Sequence, residues 1–244
     1  MVSKSQIKLI RSLAQKKSRT KHGLFVVEGI KGISEFSGSK YHLISLFTTM
    51  PIFEVPEGKT TLISEDELKK ISGLTSPQTA VAIFKIPQEA SPVLTNLTVA
   101  LDKIRDPGNL GTIIRLCDWF GIDNIICSLD TVDCYNPKVV QASMGSLTRV
   151  KVSYVNLEEF LQSEKGQPVF GTFLHGENLY QTALPENGFI VLGNEANGIS
   201  EEIEKLITKK LNIPQFGKTA DTESLNVATA TAIILSEFRR QNNY

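Results

Sequence analysis

Apolar positions recur along this chain in two rhythms. Residues 5–16 place Ile7, Ile10, Leu13 and Ala14 at helical spacing and predict a helix. Strands are predicted at 25–29 (FVVEG), 43–49 (LISLFTT), 61–64 (TLIS) and 79–86 (TAVAIFKI), with a second helix opening over 29–35. Ser64-Glu65-Asp66-Glu67 reads as a capping box before a short helix reaching Ile71. The stretch PQEASPVLTN at 87–96 holds two prolines among small and polar residues, so it is the predicted linker between domains 1–90 and 91–244. After it, strands at 97–102, 124–128, 149–155, 168–174, 189–193 and 210–214 alternate with helices at 109–120, 137–147, 157–164, 200–208 and about 224–240. That alternation predicts an α/β fold with a parallel sheet covered on both faces, preceded by a small α/β domain. Ligands of such sheets bind beyond the carboxyl ends of the strands, so candidate chemistry belongs in the turns that follow each strand.

Composition changes this picture little. A length of 244 residues, 41% hydrophobic and 21% charged, is that of an ordinary globular chain. No apolar run approaches the roughly 18 residues of a membrane helix. The net charge is zero, yet residues 1–27 carry Lys4, Lys8, Arg11, Lys16, Lys17, Arg19 and Lys21 and no acid. Such imbalance marks either a segment that meets a polyanion or a solvated helix face. An organelle transit peptide is disfavoured, because the pattern runs straight into a strand, and no apolar stretch of a secretory signal follows. Cys117, Cys127 and Cys134 form no CxxC pair, and His22, His42 and His175 are scattered. Neither a disulfide framework nor a metal site is expected, and the thiols suit a reducing cytoplasm.

Three strand-end turns carry the candidate chemistry. In LDKIRDPGNLGTIIRLCDWFG at 101–121, a turn with Pro107, Gly108 and Gly111 leads into a helix whose buried stripe is Leu110, Ile113, Ile114, Cys117 and Phe120. Arg115 lies off that stripe, facing the strand-end cleft or solvent. Asn109 sits at the helix mouth, where it can serve a ligand or cap the helix. The dinucleotide fingerprint G-x-G-x-x-G is missing. In FIVLGNEANGIS at 189–200, two glycines frame Glu195, and Ser200 is placed to cap the next helix. In LNIPQFGKTADTESLNVATATAIILSEFRRQ at 211–241, a loop after Pro214 precedes a helix of small residues with Thr222 or Ser224 as its expected cap.

Together these turns resemble the SpoU (TrmH-type) family of the SPOUT class of RNA methyltransferases over roughly 97–241. The family's first motif carries an Asn and, six residues on, an Arg, matched by Asn109 and Arg115. Its G-x-E-x-x-G matches Gly193-Asn194-Glu195-Ala196-Asn197-Gly198, and its I-P followed by S-L-N-V matches Ile213-Pro214 and Ser224-Leu225-Asn226-Val227. ASMGSL at 142–147 is similar to a further family segment. Residues 1–86 resemble the ribosomal-protein-like substrate-binding domain that precedes this fold. The loop GKTADTE is longer than the family's link.

The resemblance implies S-adenosylmethionine as methyl donor and a ribose 2′-OH as acceptor, in ribosomal or transfer RNA, with the separate amino-terminal domain favouring ribosomal RNA. It implies a trefoil knot and a cytoplasmic homodimer with the active site near the subunit interface. The implied catalytic set is Asn109, Arg115, Glu195, Ser224 and Asn226. The implied cofactor wall is Leu192, Gly193, Asn194, Gly198, Ile213, Pro214, Ser224, Leu225, Asn226 and Ala228. The basic residues Lys4, Lys8, Arg11, Lys16, Lys17, Arg19 and Lys21 would grip RNA, and no metal is implied. Two other readings stand beside it: an RNA-binding assembly factor that keeps the fold without catalysis, and a nucleotide-binding oxidoreductase. The joint presence of the catalytic set argues against the first, and the missing glycine fingerprint against the second.

Overall fold

A computed structural model describes residues 1–88, 94, 97–217 and 224–243. It forms two compact units, Met1–Glu89 with Asp133–Thr148, and Ala90–Val132 with Arg149–Tyr244. The boundary at Glu89 falls within the stretch read as a linker. Asp133–Thr148, which lies beyond that linker in sequence, is part of the first unit.

The basic amino-terminal stretch forms two helices instead of one. Ser3 caps α1 (Lys4–Ser12) in a capping box with Gln6. Gln15 is extended (φ −96°, ψ 134°), and the chain restarts as α2 (Lys16–His22). The break has a cause in Arg19, which apolar periodicity could not reveal. Its guanidinium donates to the carbonyls of Leu13 and Ala14 at 2.8 and 2.9 Å and to Asp133 Oδ2 at 2.6 Å. Arg19 is only 2% exposed. This corrects the expectation that Arg19 touches RNA: the side chain is spent on the fold. Arg19→Ala should therefore cost about 3 kcal/mol of stability, because it strands the carboxylate of Asp133 and the carbonyls of Leu13 and Ala14. Urea denaturation tests this, and a loss under about 1 kcal/mol would mark the pair as an ordinary surface bridge.

The first unit's sheet runs β1 (Leu24–Glu28), β4 (Ala80–Lys85), β2 (Leu43–Thr48), β3 (Thr60–Leu62). One face packs on α1 and α4 (Glu65–Ile71) through Ile10, Leu13, Val26, Leu68, Ile71 and Val81. The expected box before α4 is present, with Ser64 Oγ accepting from Glu67 N and Glu67 Oε2 from Ser64 N. Around Phe25 an aromatic cluster gathers Phe36 of α3 (Ile30–Ser37), Tyr41, Phe84 and Tyr135. Burial pushes the Tyr41 hydroxyl up to about 12. Half-buried Tyr135 thus packs on this unit's aromatic cluster, and with the Arg19–Asp133 pair it ties Asp133–Thr148 to the unit. The helix expected over 137–147 stops early: α6 (Pro137–Ala142) gives way to Met144 at φ 52° and Gly145 at φ 94°, then a 3-10 turn at Ser146–Thr148.

The second unit holds a six-stranded, wholly parallel sheet in the order β10 (Lys209–Asn212), β8 (Val169–Asn178), β9 (Gly188–Leu192), β5 (Leu97–Leu101), β6 (Asn124–Ser128), β7 (Lys151–Val155). Of the four inner strands, β9, β5 and β6 are buried at every residue, as a sheet covered on both faces requires, while β8 is buried only over Val169–Gly171. Helices α7 (Leu157–Ser163) and α8 (Glu201–Glu204) contribute Leu157, Leu161 and Ile203 to one core. Helices α5 (Pro107–Trp119) and α9 (Val227–Asn243) pack on each other. Leu101 pairs with Leu192, so β5 and β9 end level and their turns emerge side by side. Among the described residues no helix is long and apolar enough to cross a membrane.

Candidate active site

The turn after β5 is built around a helix start that lies earlier than expected. Asp106, not Asn109, is the N-cap of α5: its Oδ1 accepts from Asn109 N at 2.8 Å, and Pro107 follows at the first helical position. Because the cap uses only the main chain of Asn109, the amide side chain is released into the cleft.

The turn after β9 is held shut by its own residues. Asn194 and Gly198 exchange main-chain hydrogen bonds of 2.9 and 2.8 Å. The Oδ1 of Asn194 accepts from Ala196 N and Asn197 N. Only glycine fits at 193, where a Cβ would lie 2.2 Å from the Gly198 carbonyl carbon, and Gly198 adopts φ 69°. This folded turn lifts Glu195 out as an exposed carboxylate. Ser200 caps α8 by position but without a side-chain bond, its N–H donating instead to Asp102.

The start of α9 also differs from expectation. Asn226 is the cap, its Oδ1 accepting from Ala228 N at 2.9 Å and Thr229 N at 3.3 Å. Ser224 does not serve as the cap. Thr222, the other expected cap, lies outside the described residues, as does most of the loop GKTADTE.

The three turns meet in one chain of side-chain hydrogen bonds. Asn226 Nδ2 donates to Asn109 Oδ1 at 2.9 Å, and Asn109 Nδ2 donates to Glu195 Oε1 at 2.7 Å. The direction of the chain is forced. With Asn226 Oδ1 committed to the α9 cap, only its Nδ2 can face Asn109, and the carboxylate at the far end can only accept. Capping and the polar chain, alternatives for an Asn at a helix mouth, thus coincide in Asn226.

Arg115 is not part of that chain. It is exposed and has no hydrogen-bond or ion-pair partner among the described residues. Six residues of helix carry it about 9 Å beyond Asn109 and onto another face. It lies instead on an exposed stripe with Gly108, Thr112 and Trp119, the last 83% exposed. The thiol of Cys117 on the buried side of α5 is pushed up by burial and by Asp118, which makes it a poor nucleophile. Ser224 is exposed, and its hydroxyl has no partner among the described residues.

These turns can hold a polar cofactor with an aromatic base. The main-chain groups of half-buried Gly193 and Ile213 have no partner among the described residues. Phe216 and Leu225 expose apolar side chains, 83% and 47%, on the turns after β10 and before α9. Half-buried Pro214 and exposed Gly198 complete that surface. Two expected wall residues are corrected. Leu192 is fully buried, with its carbonyl taken by Asp102 N. Ala228 is buried, with its N–H spent on the Asn226 cap. Among the described residues no cluster of His, Cys, Asp or Glu is placed to hold a metal.

Apolar periodicity also missed an excursion. The β10 register jumps on β8 from Gly171 to Glu177, so Thr172–Gly176 bulges out at the carboxyl end of the sheet, with Leu174 63% exposed. The polar His175-Gly176 step just beyond the strand predicted at 168–174 was the available signal. The cationic residues Lys4, Lys8, Arg11, Lys16, Lys17 and Lys21 are exposed, although Arg11 Nε donates to the Lys70 carbonyl.

Two family models match successive parts of the chain. The SpoU rRNA Methylase family matches residues 96–236, and the MRM3-like substrate binding domain matches residues 4–82. The 23S rRNA (guanosine(2553)-2′-O)-methyltransferase RlmP of Bacillus subtilis is 30% identical over 241 residues, 96% of each chain. A solved structure of a TrmH-family protein from Porphyromonas gingivalis superposes with a TM-score of 0.91 at 41% identity, over 99% of this chain and 100% of that one. An AdoMet-bound rRNA methyltransferase from Sinorhizobium meliloti gives 0.85 at 29% identity, over 100% and 98%.

Proposed function

The chain belongs to the SpoU rRNA methylase family, and we propose that it transfers a methyl group from S-adenosylmethionine to a ribose 2′-OH of ribosomal RNA. The observation that carries this reading is the chain Asn226–Asn109–Glu195, which joins the three strand-end turns at one point. S-adenosylmethionine supplies a methyl group already activated on a sulfonium. What remains for the protein is to hold, aim and exclude, the work of prearranged dipoles. Gly193, Ile213 and Leu225 would hold the cofactor through main-chain groups. Glu195, Ser224 and Asn226 would order the pocket, with Asn109 facing the ribose. A guanidinium stays protonated in proteins, so Arg115 is not the base. It clamps a phosphate of the RNA and steadies the oxygen as negative charge develops there. Calorimetry with S-adenosylmethionine and with NAD tests the cofactor: the first should bind, and binding of NAD alone would favour an oxidoreductase.

The reading includes a homodimer, supported by the exposed Trp119 stripe. Arg115 lies on that stripe and off the Asn109 chain, so it is placed to serve a partner's site. Sedimentation of the purified chain tests the assembly. A trefoil knot in the second unit and a cytoplasmic location belong to the same reading through family resemblance.

The first domain would grip RNA through Lys4, Lys8, Lys16, Lys17 and Lys21. Removing one lysine–phosphate interaction should lower the slope of log affinity against log salt by about 0.7–0.9. Changing Lys16, Lys17 and Lys21 to alanine together should therefore weaken RNA binding and flatten the slope by about 2. An unchanged slope would make the patch a solvated face.

A further inference from the structure

Asp102, the residue just beyond β5, is 2% exposed and has no cationic partner among the described residues. Burying a carboxylate without a counter-charge is costly, so a fold gains nothing from one unless the group holds something in place. Here Oδ2 accepts from Ser200 N at 2.7 Å. Ser200 closes the far end of the turn that carries Glu195. The near end is held by the next residue along: Asn194 Nδ2 donates to the Lys103 carbonyl at 2.8 Å. Lys103 aims that carbonyl from a left-handed conformation, φ 58°, which a side chain with a Cβ adopts only under constraint. The constraint comes from the opposite side, where Lys103 N donates to Ser128 Oγ at 2.8 Å, and Ser128 Oγ lies 3.1 Å from Thr131 Oγ1.

We infer that Asp102 and Lys103 form a two-point clamp on the turn 193–200, and that Asp102 is a positioning residue for Glu195. The inference rests on the methyltransferase reading for its consequence, but the clamp is a property of the fold alone. One end of the turn hangs on a carboxylate and the other on a strained carbonyl, both from the β5–α5 connection. Glu195 is therefore fixed relative to Asn109, which leaves from the same connection. Without the clamp the turn has only its own internal bonds to hold it, and Glu195 loses its register with Asn109.

Amide hydrogen exchange and calorimetry on the full chain test this. In Asp102→Ala, exchange across 193–200 should speed at least about tenfold while amides of β5 and β9 keep their protection. The dissociation constant for S-adenosylmethionine should rise by about tenfold through lost preorganisation. Asp102→Asn keeps an oxygen for Ser200 N–H and should recover most of both losses. Asn194→Asp removes the donor to the Lys103 carbonyl while keeping an acceptor for Ala196 N and Asn197 N, so it cuts the other tie without touching the buried carboxylate and should loosen the same turn, which keeps the test open if Asp102→Ala does not fold. Exchange at 193–200 unchanged in both Asp102→Ala and Asn194→Asp would overturn the clamp. So would an equal loss of protection throughout β5 and β9, which would make Asp102 merely part of the packing. If the wild-type chain binds no S-adenosylmethionine, the methyltransferase reading fails while the exchange result still decides the clamp.

Discussion

Arg115→Ala should lower methyl transfer by about two to three orders of magnitude, the effect of removing one prearranged charge from a developing oxyanion. It should leave stability within about 0.5 kcal/mol, because Arg115 is exposed and has no partner among the described residues to strand. Cofactor affinity should also stay close to wild type, since Arg115 lies away from the turns after β9 and β10. Arg115→Lys separates charge from shape. It should recover only part of the lost rate, because an ammonium cannot hold a phosphate with two parallel bonds. Full activity in Arg115→Ala would remove the residue from the mechanism, and lost cofactor binding would move it into the cofactor pocket.

Asn109→Ala should have the second largest effect, a fall in turnover of about a hundredfold, the scale expected when a group that positions the reacting centre is removed. The substitution cuts the polar chain at its middle, leaving Glu195 Oε1 and Asn226 Nδ2 without their shared partner. The fold should be little affected, because the α5 cap uses Asn109 N, which alanine retains. Thermal melting beside turnover separates the two outcomes: unchanged turnover in a well-folded variant would reduce the chain to surface hydrogen bonding. Combining the two inactive variants tests the dimer as well. If Arg115 serves the partner's site, a mixture of Arg115→Ala and Asn109→Ala chains should regain about a quarter of wild-type activity, from the one complete site in each mixed dimer.

Most strands and helices were legible because the buried strands are short continuous apolar runs and the stripe on α5 recurs at helical spacing. The misreadings share a physical origin. Arg19 looks like every other cation in a basic stretch, and only its bonds to Leu13, Ala14 and Asp133 reveal a core residue. Asp133–Thr148 follows the linker in sequence, but Tyr135 packs on Phe25 at 4.7 Å between ring centres. No local pattern foretells packing across so long a stretch of chain. The motifs named the three residues that the hydrogen-bond chain joins, but not the bonds that each makes. Asn109 and Asn226 are both asparagines at a helix mouth, yet only Asn226 is the cap. The Asp106-Pro107 step was a readable signal for the earlier start of α5. Asp102 and Lys103 carried none, because a buried carboxylate and a left-handed lysine are defined by their surroundings.

The most direct measurement is methyl transfer from labelled S-adenosylmethionine to unmodified ribosomal RNA by the purified chain, with the modified position mapped by chemistry. The expected result is label on a ribose 2′-OH, lost with Asn109→Ala and with Arg115→Ala. Label on a base, or none from a chain that binds both S-adenosylmethionine and the RNA, would contradict it.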